Sequence, residues 1–95
     1  MFIILLHYLQ PVTEIEKYLP EHRDFLDKHY AAGHFIASGA QVPRTGGVIL
    51  AKGVTREELD LLLNEDPFFR ERLANYQIIE FNPSKHSIEA ASIFT

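Results

Sequence analysis

The chain has 95 residues, a formal net charge of −4 and no cysteine, so it is the size of one domain and has neither a disulfide framework nor a thiolate metal site. Acidic residues outnumber basic ones, 13 to 9, and no basic run occurs, which argues against nucleic acid as a partner because phosphate binding needs clustered positive charge. The apolar segment Phe2–Leu6 is too short to span a membrane and lacks the basic flank of a signal peptide, so we expect a cytoplasmic globular domain over residues 1–95.

The first half of the sequence indicates a strand followed by a helix. Phe2–Leu9 has two apolar faces, which is typical of a strand that is covered on both sides. Thr13–Glu16 has the form of a capping box and predicts a helix that begins there. This helix should kink or restart at Pro20 and end near Ala32, with Gly33 just past its end. Its inward stripe, spaced three and four residues apart, is expected to comprise Leu19, His22, Phe25, Leu26, His29 and Tyr30.

The second half contributes three strands, which are expected over His34–Val42, Val48–Ala51 and Tyr76–Phe81. Pro43–Gly47 separates the first two of them and predicts a turn, since proline presets one turn dihedral angle and glycine permits positive φ. The tail after Pro83 contains apolar residues that are expected to pack against the rest of the chain: Ile88, Ile93 and Phe94.

A second helical region lies between these strands. Thr55–Glu58 is another capping box and predicts a helix with one apolar face. Asp66-Pro67 ends that helix, because the residue before a proline is pushed out of the helical region. Pro67–Ala74 favours one more short helix. The apolar face of the long helix consists of Leu59, Leu62 and Leu63.

The element order is therefore β-α-β-β-α-β, the ferredoxin-like α+β pattern, in which both helices cover one face of an antiparallel sheet. Two helices cover one face only, whereas the first strand is apolar on both. A second copy of the chain can cover the other face, so we predict a homodimer whose sheets pack face to face.

His22 and Asp66 are the residues that this topology brings toward one cleft. Right-handed crossovers place the end of the first strand, the start of the first helix, the turn between the next two strands and the end of the second helix at one edge of the sheet. There His22 can act as a general acid or base, with Asp66 fixing its tautomer. The structural alternatives are a core histidine and an aspartate that caps the following helix. Capping uses one carboxylate oxygen and leaves the other free.

The same edge supplies candidates for binding a small molecule. Arg44 can offer its fork of donors to an anion, although a solvated turn arginine is the alternative. His7 is interpreted as an interface or pocket-lining residue, with core packing as the alternative, and Ser38 as a hydrogen-bond donor and not a nucleophile. The ligand-binding candidates are thus Tyr8, His7, Ser38, Gly39, Arg44 and Phe68.

No metal or cofactor is predicted. His22 and His29 lie on one helix face but about 10.5 Å apart along the axis, at about 1.5 Å per residue, which is too far for one ion. Gly46-Gly47 is not followed by a helix, so the helix-dipole part of a phosphate-binding loop is missing.

Several short motifs, in order along nearly the whole chain, resemble the YciI-like (YCII-related) family. They are Glu21–Leu26 around His22, Ala32-Gly33, Ala37-Ser38-Gly39, Thr45-Gly46-Gly47 and Asp66-Pro67-Phe68. The resemblance implies a dimeric ferredoxin-like α+β barrel and a cleft with a histidine–aspartate pair, which here are His22 and Asp66. The family includes a dehydrochlorinase, and its fold is similar to that of muconolactone isomerase.

These observations lead to a prediction of function with two alternatives. The prediction is a small-molecule enzyme in which His22 moves a proton during elimination or isomerisation of a small oxygenated or aromatic compound. Hydrolysis is disfavoured, because the sequence offers no nucleophile and no metal site. The first alternative is a non-catalytic ligand-binding or accessory dimer that uses the same cleft. The second is a purely structural dimer, in which His22 is a core residue and Asp66 a cap.

Overall fold

A computed structural model of the protein describes residues 1–94 and contains one four-stranded sheet. The strands are β1 (Phe2–Tyr8), β2 (Phe35–Ala40), β3 (Gly46–Ala51) and β4 (Ala74–Glu80). Their order in the sheet is β2-β3-β1-β4, and every neighbouring pair is antiparallel. The ferredoxin-like α+β fold predicted from the element order is confirmed.

The first four of the five helices in the described part of the chain pack on one face of this sheet. The helices are α1 (Val12–Lys17), α2 (Leu19–Ala31), α3 (Arg56–Leu63), α4 (Pro67–Arg70) and α5 (Ala91–Phe94), the last preceded by a 3-10 turn over Ile88–Ala90. The core lies between the sheet and the helices and includes Phe2, Ile4, Leu6, Ile15, Phe25, Leu59 and Leu63. In residues 1–94 no helix is long and apolar enough to cross a membrane.

The capping box expected at Thr13 is wrong. Helix α1 begins at Val12, Pro11 occupies the N-cap position, and no side chain caps the helix. The Pro11 carbonyl accepts hydrogen bonds from the N–H groups of Glu14 and Ile15, at 2.9 and 3.2 Å. Since proline fixes φ near −65°, the chain enters the helix directly after it, and Thr13 falls inside the first turn.

The remaining helix boundaries follow the sequence signals closely. The chain restarts after Tyr18, so that Pro20 lies in the first turn of α2, and Gly33 takes a φ of +80° just past the end. The capping box of α3 is confirmed: the Thr55 hydroxyl accepts from the Glu58 N–H at 3.1 Å, and the Glu58 carboxylate accepts from the Thr55 N–H at 2.9 Å. Tyr30, expected to face inward, is 37 % exposed at the end of α2.

Gly46 and Gly47 belong to strand β3 and not to the preceding turn, which corrects the prediction. Their place in the ladder is opposite His7 and Leu6 of β1. A Cβ atom built on Gly46 would lie 1.7 Å from the Leu6 carbonyl oxygen, so this position requires glycine for close approach of two backbones and not for positive φ.

The central strand β1 has one buried and one open apolar face. Phe2, Ile4 and Leu6 are buried against the helices. The alternate residues Ile3 and Leu5 point to the other side. On that side their ladder partners are Leu50, Ile79, Val48 and Gln77. We call this surface the open face; none of its residues belongs to the core.

The tail packs less than the sequence suggested. Ile88 is 94 % exposed, so its expected packing is wrong. Ile93 and Phe94 are partly buried, and Lys52 Nζ donates a hydrogen bond to the Ile93 carbonyl at 2.8 Å. A hydrogen bond from the Lys52 side chain therefore anchors the end of the tail, whereas the turn around Ile88 extends into solvent.

Candidate active site

His22 and Asp66 meet between the start of α2 and the N-terminus of α4. The Nδ1–H group of His22 donates to Oδ1 of Asp66 at 2.8 Å. The His22 side chain is 12 % exposed and the Asp66 side chain is fully buried. Since a carboxylate can only accept, this hydrogen bond puts the imidazole proton on Nδ1 and leaves the lone pair on Nε2.

Asp66 satisfies three donors at once. Its Oδ1 atom also accepts from the backbone N–H of Phe68 at 3.0 Å, which caps α4. Its Oδ2 atom accepts from the hydroxyl of Tyr76 on β4. The carboxylate is therefore both a cap and the partner of His22, as the sequence allowed. One oxygen performs both tasks, however, and the second oxygen accepts from Tyr76, which was predicted as a strand residue and not as part of the site.

Phe68 fixes the plane of the imidazole. Its ring stacks on that of His22 with centroids 4.0 Å apart and an angle of 7° between the planes. Tyr8 meets the same Phe68 ring edge-on at 6.3 Å. The segment Asp66–Phe68 thus supplies the carboxylate, a capped turn and an aromatic wall, and His22 is held by a hydrogen bond at its edge and by a ring over its face.

Tyr76 is buried in this cluster as a hydrogen-bond donor. Burial, followed by the charge of Asp66 and the hydrogen bond to it, raises the pKa of the Tyr76 hydroxyl well above its usual range. The proton therefore stays on Tyr76, and the hydroxyl donates to Asp66 throughout the physiological pH range. The alternation of β4, in which Ala74, Tyr76 and Ile78 share the face toward the helices, was the sequence signal that could have identified it.

His22 lines a cavity of about 670 Å³ between the helices and the sheet, a volume within the range of small-molecule sites. Its apolar walls include Leu6, Leu19, Leu26, Ile49 and Phe68. Its polar lining includes Tyr8, Glu16, His22, Arg23, Ser38 and Arg44. Arg23 and Glu16 were not among the sequence candidates, although Arg23 directly follows His22.

The loop that carries Arg44 is tied to the end of β1. The Thr45 carbonyl accepts from the Tyr8 N–H at 2.9 Å, and the Gln41 amide donates to the Leu6 and Gly47 carbonyls at 3.3 and 3.2 Å. A side-chain hydrogen bond to Tyr8 is the largest effect that raises the pKa of Arg44. These contacts hold a guanidinium at the cavity.

The other ligand-binding candidates divide between the cavity and the opposite side of the sheet. Ser38 and Gly39 line the cavity, and the Ser38 hydroxyl shares a hydrogen bond of 2.7 Å with Tyr30. His7 does not line it, because alternation along β1 puts this exposed residue on the open face; only the interface interpretation of His7 therefore remains.

A second histidine pair lies outside the cavity. His29, which is buried, approaches His34 with their Nδ1 atoms 3.2 Å apart, and its Nε2 atom lies 3.2 Å from Glu65. Within residues 1–94, no group of three or more potential ligands is arranged to hold a metal ion.

The fold and the site define the class of this protein: it is a ferredoxin-like α+β domain with a buried histidine–aspartate pair beside a cavity. The YCII-related domain model matches residues 1–82, and the chain belongs to this family. The extent of the domain over residues 1–95 stays a prediction, because residues 83–95 lie outside the match.

The chain is also similar in structure to 5-chloro-2-hydroxyhydroquinone dehydrochlorinase from Burkholderia phenoliruptrix, solved in complex with 2,5-dihydroxybenzoquinone. The TM-score is 0.66 at 17 % sequence identity, over 94 % of this chain and 98 % of that one. At this identity the similarity concerns the fold. No curated protein matches the chain.

Proposed function

We propose that the protein is a small-molecule enzyme in which His22 acts as the general base and Asp66 orients it. The observation that carries this proposal is the 2.8 Å hydrogen bond from His22 Nδ1 to Asp66 at the wall of the cavity. A base whose tautomer is fixed by a buried carboxylate needs no reorientation before it accepts a proton, and the carboxylate stabilises the imidazolium that forms.

The reaction that fits these groups is an elimination or an isomerisation. His22 Nε2 takes a proton from the substrate, and the electron pair of the broken bond forms a double bond. In an elimination the leaving group departs with its own electron pair and the imidazolium later releases the proton. In an isomerisation the same proton returns to a different carbon. Both schemes need one proton carrier and neither needs a nucleophile from the protein.

A small oxygenated or aromatic substrate is the proposed class. The cavity has an aromatic wall at Phe68 and hydroxyl donors at Tyr8 and Ser38, which together suit a flat ring with oxygen substituents. The dehydrochlorinase of similar fold was solved with 2,5-dihydroxybenzoquinone, a compound of this kind. This similarity supports the proposed substrate class and serves to choose the first compounds to be tested.

The experiment is a turnover screen with a matched pair of histidine variants. Halogenated hydroxyhydroquinones are offered to the wild type, to His22→Asn and to His86→Asn, and both the ring absorbance and the released halide are recorded. His86 lies in the exposed tail, where it contacts the Ser87 carbonyl and the Phe94 ring and does not line the cavity, so its variant should keep full activity. Turnover should be lost in His22→Asn, and a fully active His22→Asn would reject the proposal.

The alternative is a non-catalytic ligand-binding or accessory module that uses the same cavity. It predicts that 2,5-dihydroxybenzoquinone raises the melting temperature of the protein and that every screened compound is recovered unchanged. A purely structural role for the pair predicts no binding at all. Recovery of unchanged compound therefore distinguishes both alternatives from the enzyme hypothesis. The shift in melting temperature distinguishes the ligand-binding module from the purely structural role.

We also propose that a second copy of the chain covers the open face. Ile3, Leu5, Val48, Leu50 and Ile79 form an apolar surface across three strands, and isologous packing of two such sheets would bury it twice. A homodimer in the cytoplasm remains the predicted working form of the protein.

A further inference from the structure

The cavity carries more positive than negative charge in a chain whose formal net charge is −4. Arg23 and Arg44 line it, and Glu16 is the one acidic residue of its described lining. Asp66 adds no accessible charge, because it is fully buried and both of its oxygens already accept hydrogen bonds. The lining thus has a net positive charge that acidic side chains do not balance.

Arg23 is the cavity arginine that has no acidic partner among the described residues. Within residues 1–94 its side chain makes neither an ion pair nor a hydrogen bond with the protein, although it lies at the cavity beside His22. Arg44 contacts Glu16 at 3.4 Å, with the two side chains 38 % and 55 % exposed. That distance is longer than the 2.7–2.9 Å or so of a strong charged hydrogen bond, so a better anion can replace Glu16 at little cost.

We propose that the cavity binds a small cyclic carboxylic acid, with its carboxylate on Arg23 and Arg44 and its apolar ring on the inner wall. This inference rests on the proposed function and names the substrate class of the same site. Both arginines can form paired hydrogen bonds with a carboxylate, since the guanidinium presents its donors as a planar fork.

The exposure of the lining residues gives the bound molecule a direction. Arg23 is exposed, His22 is largely buried and Phe68 is buried, so the charged groups lie at the mouth and the aromatic wall lies inside. An acid held at the mouth by its carboxylate extends its ring toward Phe68 and the free Nε2 atom of His22. The arginines would then position the substrate for the base, and Glu16 would compete with it for Arg44.

The test compares two probes that differ in charge but hardly in shape, salicylate and salicylamide. Isothermal titration calorimetry at low ionic strength measures the affinity of the wild-type protein for each of them. Salicylate should bind about tenfold or more tightly than salicylamide, and Arg23→Ala should remove about the same factor for salicylate alone. Arg56→Ala, which removes an equal charge from the exposed Arg56–Asp60 pair on α3, is the matched control and should leave both affinities unchanged.

Removing Glu16 should have the opposite effect. Glu16→Gln frees Arg44 and should tighten salicylate binding severalfold. Glu14→Gln changes the net charge equally on the same helix, but Glu14 pairs with Lys17 away from the cavity lining. Its salicylate affinity should stay at the wild-type value, which separates a local effect from a change in overall charge.

Three results would overturn the inference: equal affinity for the two probes, no binding of either, or unchanged salicylate binding in Arg23→Ala. Its failure is separable from failure of the proposed function. Turnover of a neutral quinol that depends on His22, without salicylate binding, would retain the enzyme and reject the anion site. Salicylate binding through Arg23, with His22→Asn indistinguishable from wild type in every turnover assay, would retain the anion site and reject the enzyme.

Discussion

The imidazole of His22 and the carboxylate of Asp66 lie 2.8 Å apart although 44 residues separate them in the sequence. The same short segment that provides Asp66 also stacks Phe68 on the imidazole at 4.0 Å. The orientation of His22 therefore depends on α4 in two ways. Asp66, which caps α4, bonds to the imidazole, and Phe68 in its first turn stacks on the ring. Any change that moves α4 should alter the base even when His22 is untouched.

The first prediction concerns the tautomer of His22. Asp66→Asn removes the negative charge and leaves one oxygen where the carboxylate accepts from His22, the Phe68 N–H and Tyr76. One amide oxygen cannot satisfy all three donors, and the charge that favours a proton on Nδ1 is gone. Long-range ¹⁵N–¹H NMR should report the Nδ1–H tautomer in the wild type and a mixed or reversed population in the variant. If a substrate is found, turnover should fall by about 10²- to 10⁴-fold, the range of general acid–base contributions.

Asp60→Asn is the control for this experiment. Asp60 pairs with Arg56 on the exposed side of α3, so its variant should show the wild-type His22 spectrum. An unchanged tautomer in Asp66→Asn would mean that the buried carboxylate does not set the protonation of the ring.

The second prediction is a loss of stability at alkaline pH that depends on Tyr76. Burial, and then the Asp66 charge, raises the pKa of Tyr76 above its ordinary value of 10. The hydroxyl therefore keeps its proton in the folded state, whereas it ionises near pH 10 in the unfolded state. Its stabilising effect is complete below about pH 10 and decreases as the pH rises further.

Chemical denaturation at several pH values checks this sign. The free energy of unfolding of the wild type should fall between about pH 9 and 11, and the fall should be smaller in Tyr76→Phe. At neutral pH this variant should lose about 1.5–3 kcal/mol, because a hydrogen bond to a buried charge is removed. Tyr30→Phe changes an exposed tyrosine and should reproduce the wild-type pH profile; equal slopes in all three proteins would contradict the prediction.

The sequence predicted the topology and the His22–Asp66 pair because both depend on order and periodicity. Capping at Thr55, the proline restart at Pro20 and the two apolar faces of β1 are local signals. Right-handed crossovers bring the ends of these elements to a common edge of the sheet. The contact of Tyr76 with Asp66 and the position of Arg23 at the cavity were not predicted. Both depend on which face of a strand or helix meets which neighbour, and long-range packing determines this.

Glycine illustrates the same limit. Gly46-Gly47 was predicted to be part of a turn, because glycine between two short strands most often serves a turn. The actual reason is contact with the backbone of β1 across the ladder, which no local pattern contains. The error at Thr13 has a local cause. Pro11 occupies the N-cap position, so α1 begins at Val12 and Thr13 already lies in its first turn.

The third prediction compares two glycines. A Cβ atom at Gly46 would lie 1.7 Å from the Leu6 carbonyl oxygen, and this backbone group cannot give way without separating β1 from β3. Gly46→Ala should therefore lose at least about 3 kcal/mol or fail to fold. Gly39→Ala meets no atom within 4 Å and should melt close to the wild type. Similar melting temperatures for the two variants would show that the backbones of β1 and β3 are not in close contact at Gly46.

The fourth prediction concerns the cap of α3. Thr55→Ala removes the hydroxyl acceptor and should lower the free energy of unfolding by about 1 kcal/mol. Hydrogen bonds from the backbone and side chain of Thr55 also lower the pKa of Glu58 below its ordinary value of 4.5. The stability that Glu58 provides is therefore present above about pH 4.5 and is lost as the pH falls through the lower, folded-state value.

Acid titration of unfolding separates the two halves of this cap. Glu58→Gln should flatten the acid limb of the stability curve relative to the wild type, and Glu57→Gln, which changes a neighbouring exposed carboxylate of the same turn, should not. An acid limb that is unaffected by Glu58→Gln would contradict the assignment.

The fifth prediction tests whether the open face is an interface between copies. Leu5 lies at its centre, opposite Val48 and Gln77. An aspartate there would be desolvated in a face-to-face dimer but could reach water in a monomer. Sedimentation equilibrium should therefore give the wild type twice the chain mass of 10.9 kDa, and Leu5→Asp a single chain mass. Leu61→Asp makes the same chemical change at a leucine that is 71 % exposed on α3 and should remain dimeric. If the wild type sediments as one chain at micromolar concentration, the dimer is rejected whether or not Leu5→Asp folds, and the apolar open face must then have another occupant.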